Sequence, residues 1–240
     1  MDGGTVAAAL LASVLAGSTG TGPGDLHTWE VMPGASQVYI VTHRAGLLSF
    51  LGHEHAIVPG EWSARLCLAR PIPEGAHGSL VVRTGSLVID SDSARALAGL
   101  GGGPGLEDRQ EVQGKMLDSL HLDADRFPEI RLELRAAGAA VDGRFTARGT
   151  VTLRGVTRDV ELPVTVDDGE GERGGIRLSG TLRIRQRDFG IEPESVGGLV
   201  KVSNDVDLHF ALAAVPSEEV CGADVPGGAF RARDRAGRPG

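Results

Sequence analysis

The sequence predicts an all-β domain: an eight-stranded antiparallel up-and-down barrel with one or two short helices between strands. Three observations carry this. Apolar and polar residues alternate with a period of two through most of the chain from Ser36 onward. Gly is frequent, at 36 of 240 residues, while aromatics are only 4%, which suits many turns around an aliphatic core. The length suits one domain with a sizeable core.

The elements follow in chain order. Val38 to Thr42 opens the alternation. In Glu61 to Leu68, Trp62, Ala64, Leu66 and Leu68 share one face, with Glu61, Ser63 and Arg65 on the other. Ser79 to Ile89 reads as one strand. Then Ser91 to Leu100 reads as a short helix, Gly101 to Gly105 as a linker, and Asp108 as the cap of a second helix. In that helix Val112, Met116 and Leu120 form an apolar stripe suited to lie over an end or flank of the sheet. Alternation resumes at Ile130, Leu132 and Leu134. It continues with Phe145, Ala147, Gly149, Val151 and Leu153, and with Val160, Leu162, Val164 and Val166. After a polar loop, Ile176, Leu178, Leu182 and Ile184 lead to the last strand, where Val202, Val206, Leu208 and Phe210 face one side.

The ends read differently. Residues 1–24 hold an apolar stretch, Val6 to Ala16, of the length of a signal-peptide core and too short to span a bilayer. It implies export, to the periplasm or outside the cell. No Lys or Arg precedes it and Asp2 has the wrong sign, so a disordered leader is the alternative. Residues 216–240, with no period, read as a disordered tail, leaving residues 25–215 as the domain. Cys67, within a strand, and Cys221, in the tail, are both expected to be unpaired. A net charge of -8 argues against a nucleic-acid partner. Arg177, Arg183, Arg185 and Arg187 read as a solvated outer face, as do Asp205 and Asp207.

Eight such strands close into a barrel or split into a sandwich. A barrel of this size leaves room for one small ligand, and here its wall is aliphatic. A familiar motif bears on the choice. Gly149-Thr150-Val151-Thr152-Leu153-Arg154-Gly155-Val156-Thr157-Arg158 resembles the central signature of the YceI-like family. Trp29 with Ser36-Gln37-Val38, Phe127-Pro128-Glu129-Ile130, and Asp188-Phe189-Gly190-Ile191 appear in the family's order. The resemblance covers Trp29 to Ala213. It implies a lipocalin-like barrel that holds a polyisoprenoid or other long-chain lipid without catalysis, often in the periplasm. The family often carries Arg two positions before the Asp-Phe-Gly aspartate, where this chain has Gln186.

The expected ligand-binding residues are Trp62, Leu66, Phe145, Val151, Leu182, Ile184, Gln186, Val202 and Phe210. No cofactor is expected beyond a bound isoprenoid lipid. The expected partner is that lipid, with no nucleic acid and no membrane span, and the sequence leaves room for a homodimer. Chemically, Leu51-Gly52-His53-Glu54-His55-Ala56 is the most loaded stretch, since imidazoles two apart on extended chain face the same side. His53 and His55 at a barrel rim would hydrogen-bond acids or backbone. As metal ligands they would need a third from His43, Glu54, His121 or His209. That defines the alternative, a metal- or haem-associated redox or stress-response protein. A third reading is a barrel filled by its own side chains. No Gly-x-Ser-x-Gly elbow is present.

Overall fold

The computed structural model describes residues 26–45, 54–168, 174–196 and 200–221. Its first strands are β1 (His27–Val31), β2 (Gln37–Ala45), β3 (His55–Pro59), β4 (Trp62–Leu68), β5 (His77–Arg83) and β6 (Leu87–Ile89). Helices α1 (Asp92–Leu97) and α2 (Leu106–Leu117) follow, then β7 (Glu129–Ala136), β8 (Arg144–Leu153), β9 (Val156–Asp168) and β10 (Ile176–Arg185). The short β11 (Ser195–Val196) and the long β12 (Val200–Val220) complete the sheet.

Closure is by antiparallel neighbours in the order β1-β4-β5-β7-β8-β9-β10-β12, with β12 returning to β1. β2, β3 and β6 extend three members of this ring rather than adding to it. β1 and β2 are one strand interrupted by the 3-10 turn at Pro33–Ala35, and together they line one edge of β12. β3 and β4 form the next strand, and β5 and β6 the one after, broken by a 3-10 turn at Thr84–Ser86. The outcome is the all-β, eight-stranded up-and-down barrel that the alternation predicts.

Its two ends differ in how tightly the strands approach. At the lower end a Cβ built on Gly149 would lie 1.8 Å from the Glu133 carbonyl oxygen, so only glycine admits that contact. The Phe210 ring lies across Gly180, its cross-strand partner, 2.8 Å from where a Cβ would be. Small residues on the inner face let the wall curl tightly, and large ones then fill what is left. Trp29, Leu162, Val164, Ile176 and Leu212 are buried in this plug.

The upper end is splayed in two places. β6 leaves β7 to pair with β3, so the β5–β7 ladder stops at Arg83 and Glu129. The Gln113 side chain of α2 serves the abandoned edge of β6. Its Oε1 accepts from the Ile89 N–H at 2.9 Å, and its Nε2 donates to the Leu87 carbonyl at 2.7 Å, the pair of bonds an adjacent strand would supply. The β9–β10 ladder stops at Val164 and Gly180, beside Pro163, which has no N–H to donate. Phe189 and Ile191, in and after the 3-10 turn Gln186–Phe189, are buried beside β9 and β10.

Several expectations are corrected. Ser79 to Ile89 is two strands, because the Thr84-Gly85-Ser86 turn redirects the chain. Ser91 caps α1, accepting from the Ala94 N–H at 3.2 Å, and α1 ends at Leu97. Gly105, not Asp108, is the N-cap of α2. Leu120 lies beyond the helix and is 73% exposed, so the stripe ends at Met116. The tail is ordered further than expected: β12 runs to Val220, pairing with β1, and the Cys221 N–H donates to the Leu26 carbonyl at 3.1 Å. That places Cys221 beside β4, where it forms a disulfide with Cys67 across a Cα–Cα distance of 5.9 Å. The expectation of two unpaired thiols fails because β1 brings the two strands together. Residues 1–25, with the apolar leader, lie outside the described residues, as do 222–240.

Candidate functional site

The splayed half of the barrel encloses a cavity of about 540 Å³, within the range of small-ligand sites. Its wall comes from the inner faces of most of the ring. Ile40 and Ile57 stand on β2 and β3, Leu132 and Val151 on β7 and β8, and Leu182 and Leu208 on β10 and β12. Val112 and Met116 of α2 cover the gap between β6 and β7. The rim is polar, with Asp108, Glu111, Lys115 and Glu194 all exposed.

Of the nine residues expected to bind a ligand, Val151, Leu182, Ile184, Gln186 and Val202 line this cavity. Leu66, Phe145 and Phe210 sit in the packed half, around a void of only about 60 Å³. Trp62 lines neither space and packs against the edge of the core. Gln186 donates from Nε2 to the Ser203 carbonyl at 2.8 Å, tying the turn after β10 to β12.

His55, the one polar ring on the cavity wall that the β2–β3 ladder supplies, is held from behind. Asp90, fully buried at the end of β6, takes its Nδ1 at 2.6 Å. The same carboxylate accepts from the Ala56 N–H at 3.1 Å and from the Arg95 guanidinium at 2.7 Å. Arg95 in turn donates to the carbonyls of Glu54, Gly101 and Gly102. Burial pushes the Asp90 carboxyl up, but its bonds to His55, Ala56 and Arg95 outweigh that and hold it below the ordinary carboxylate range. Asp90 therefore stays ionised and fixes the imidazole so that Nδ1 is the donor. Neither Asp90 nor Arg95 stands out in the sequence; only their convergence in space reveals the network.

The other candidate metal ligands are scattered. His43 is on the outer face of β2, bonded through Nε2 to Asp207 at 2.9 Å and through Nδ1 to Glu54 at 3.3 Å. His209 stacks on Tyr39 outside the barrel, and burial lowers the pKa of its ring. His121 is near the rim, between Asp118 at 3.0 Å and Glu194 at 3.4 Å. His53 lies outside the described residues. Among the described residues no three His, Cys, Asp or Glu side chains converge as a metal-binding group.

Asp207 is not the solvated acid expected of an outer face. It is 5% exposed and accepts two bonds from Arg183, at 2.6 and 2.7 Å. Arg183, then His43, hold its carboxyl at about 2 against the opposing effect of burial. Hydrogen bonding to Asp207 in turn raises the His43 pKa, beyond what desolvation takes away.

The sequence motifs meet at the mouth of the cavity. Arg154 and Gly155 form the β8–β9 turn with φ of 50° and 72°. Arg154 donates to the Gly190 carbonyl at 2.5 Å and to the Ser119 carbonyl at 2.7 Å, clamping the segments that close the two splayed gaps. The Phe127 ring lies 2.6 Å from where a Cβ on Gly155 would be, and Phe189 is buried.

Comparison with known proteins matches this arrangement. The barrel resembles the solved structures of Burkholderia cenocepacia BcnA and of a polyisoprenoid binding domain from Saccharophagus degradans. BcnA is 17% identical, with a TM-score of 0.55 over 78% of this chain and 100% of that one. The Saccharophagus domain is 16% identical, with a TM-score of 0.51 over 80% of this chain and 99% of that one. No curated protein matches significantly in sequence. Residues 29–214 match the YceI-like domain, nearly the span of the resemblance in the motifs, and the chain belongs to the YceI-like family.

Proposed function

We propose that the protein binds one long-chain apolar lipid in the upper half of its barrel, as a carrier or store and without catalysis. The observation that carries this is the cavity of about 540 Å³ walled by aliphatic side chains and opening at a polar rim. Each methylene of a tail that enters it gains about 0.8 kcal/mol. The space is of the size of a small-ligand site, and a tail too long for it extends past the rim. The Saccharophagus domain's polyisoprenoid binding supports a chain of this chemistry.

The apolar leader and the Cys67–Cys221 disulfide together support export to an oxidising compartment, the periplasm or the cell exterior. Native mass spectrometry of protein purified from its own cells, followed by organic extraction, tests the binding reading. One lipid per chain, released on extraction, is expected. Protein that runs at its bare mass and takes up no added long-chain lipid overturns the proposal.

A further inference from the structure

Which head group the cavity takes is set by the polar atoms that face it without an internal partner. Among the described residues that line the mouth, both basic side chains are already matched by an acid. Lys115 pairs with Glu111 at 2.8 Å, and His121 sits between Asp118 and Glu194. Lining the mouth, three carboxylates, those of Asp108, Glu111 and Glu194, stand against the single ammonium of Lys115. An anionic head group would meet net negative charge among these lining side chains.

Deeper on the wall the situation is different. His55 and Thr42 are direct cross-strand partners on β3 and β2, and both line the cavity. Asp90 occupies the His55 Nδ1, and among the described residues neither the His55 Nε2 nor the Thr42 hydroxyl has a hydrogen-bond partner. In the neutral imidazole, with Nδ1 donating to Asp90, Nε2 presents a lone pair. The Thr42 hydroxyl beside it supplies a donor. Directly opposed cross-strand residues have their Cβ atoms about 5 Å apart, so one hydroxyl entering between the two side chains can donate to one and accept from the other.

We infer that His55 and Thr42 form a head-group site for an uncharged, hydroxyl-bearing lipid, which selects long-chain alcohols over carboxylates and phosphates. This rests on the lipid-binding reading and specifies the lipid's polar end. A carboxylate or phosphate dianion offers Nε2 no donor and is repelled by the rim. The residues behind His55 make the site rigid, because Asp90 is itself fixed by Arg95 and the Ala56 N–H.

The test is displacement of the neutral fluorophore N-phenyl-1-naphthylamine from the full-length protein by hexadecan-1-ol, palmitate and hexadecyl phosphate. The alcohol is expected to displace it at about tenfold lower concentration than either anion. His55→Phe is expected to weaken the alcohol about tenfold relative to palmitate in the same variant, whereas His55→Gln, which keeps an acceptor, retains most of the preference. Thr42→Val, nearly isosteric, is expected to weaken the alcohol about fivefold and keeps the test decisive should His55→Phe fail to fold. Equal displacement by all three lipids, or an unchanged alcohol affinity in Thr42→Val, overturns the head-group site while leaving lipid binding intact. If none of the three displaces the fluorophore, the lipid reading falls and the head-group site with it.

Discussion

The two halves of this barrel share an aliphatic lining and differ in how it is filled. The lower half sets small residues such as Gly149, Gly180 and Ala147 among its leucines and packs nearly solid, around a void of about 60 Å³. The upper half, lined by leucines, isoleucines and valines, holds the cavity of about 540 Å³. Strand spacing decides the matter. Small inner residues let the lower wall close tightly around Phe210 and Trp29. In the upper wall, the turn at Thr84–Ser86 and Pro163 each end a ladder, and α2 and the segment around Phe189 hold the wall apart. The packed half is filled from within and stapled by the Cys67–Cys221 disulfide. The open half is held from outside, by Gln113 on the β6 edge, by the Arg154 clamp and by the Asp207 cluster.

One pair of identical substitutions can break this comparison. Leu162 in the packed half and Leu182 on the cavity wall are 2% and 3% exposed. Leu162→Ala opens a new hole in a dense core and is expected to cost about 4 kcal/mol in urea unfolding. Leu182→Ala enlarges a space that already exists and is expected to cost about 2 kcal/mol. Equal losses would mean that the two ends are packed alike.

The next effect concerns the outer wall of the open half. Asp207 titrates at about 2 in the folded chain against 3.8 as its ordinary value. A depressed carboxylate stabilises above its unfolded pKa and loses that contribution as pH falls through the folded one. Asp207→Asn is therefore expected to cost about 2 kcal/mol at pH 7, with the gap from the parent protein shrinking below pH 3.8 and closing near pH 2. His43 has the opposite sign: its raised pKa adds stability below its ordinary value of 6.5, lost as pH rises through the folded value. The cluster is strongest between those two limits. A difference between Asp207→Asn and parent that persists unchanged into acid would show that Asp207 acts by packing rather than charge.

The period-two pattern made the inner face of nearly every strand legible, and the motifs around Gly149 and Asp188 made the family legible. Alternation states which face a residue takes but not how far the opposite wall lies, so Phe145 and Phe210 looked as much like ligand contacts as Val151 and Leu182. The Cys67–Cys221 disulfide was hidden for a related reason. Pro216 and the polar Ser217-Glu218-Glu219 run carry no apolar rhythm, and their strand exists because β1 pairs with it. The His55 network was half visible: the sequence singled out the imidazole, but Asp90 and Arg95 acquire meaning only when β3, β6 and α1 meet.

Occupation of the open half by ligand is tested most directly on the cavity wall. Val151, buried on the cavity wall well inside the rim, is the position from which a larger side chain fills the space without disturbing the plug. Titration of Val151→Trp with N-phenyl-1-naphthylamine is expected to give affinity at least about tenfold weaker than the parent, with the thermal midpoint maintained. Parent-like affinity in a folded Val151→Trp protein would contradict the account, because the lipid would then be binding somewhere other than this cavity.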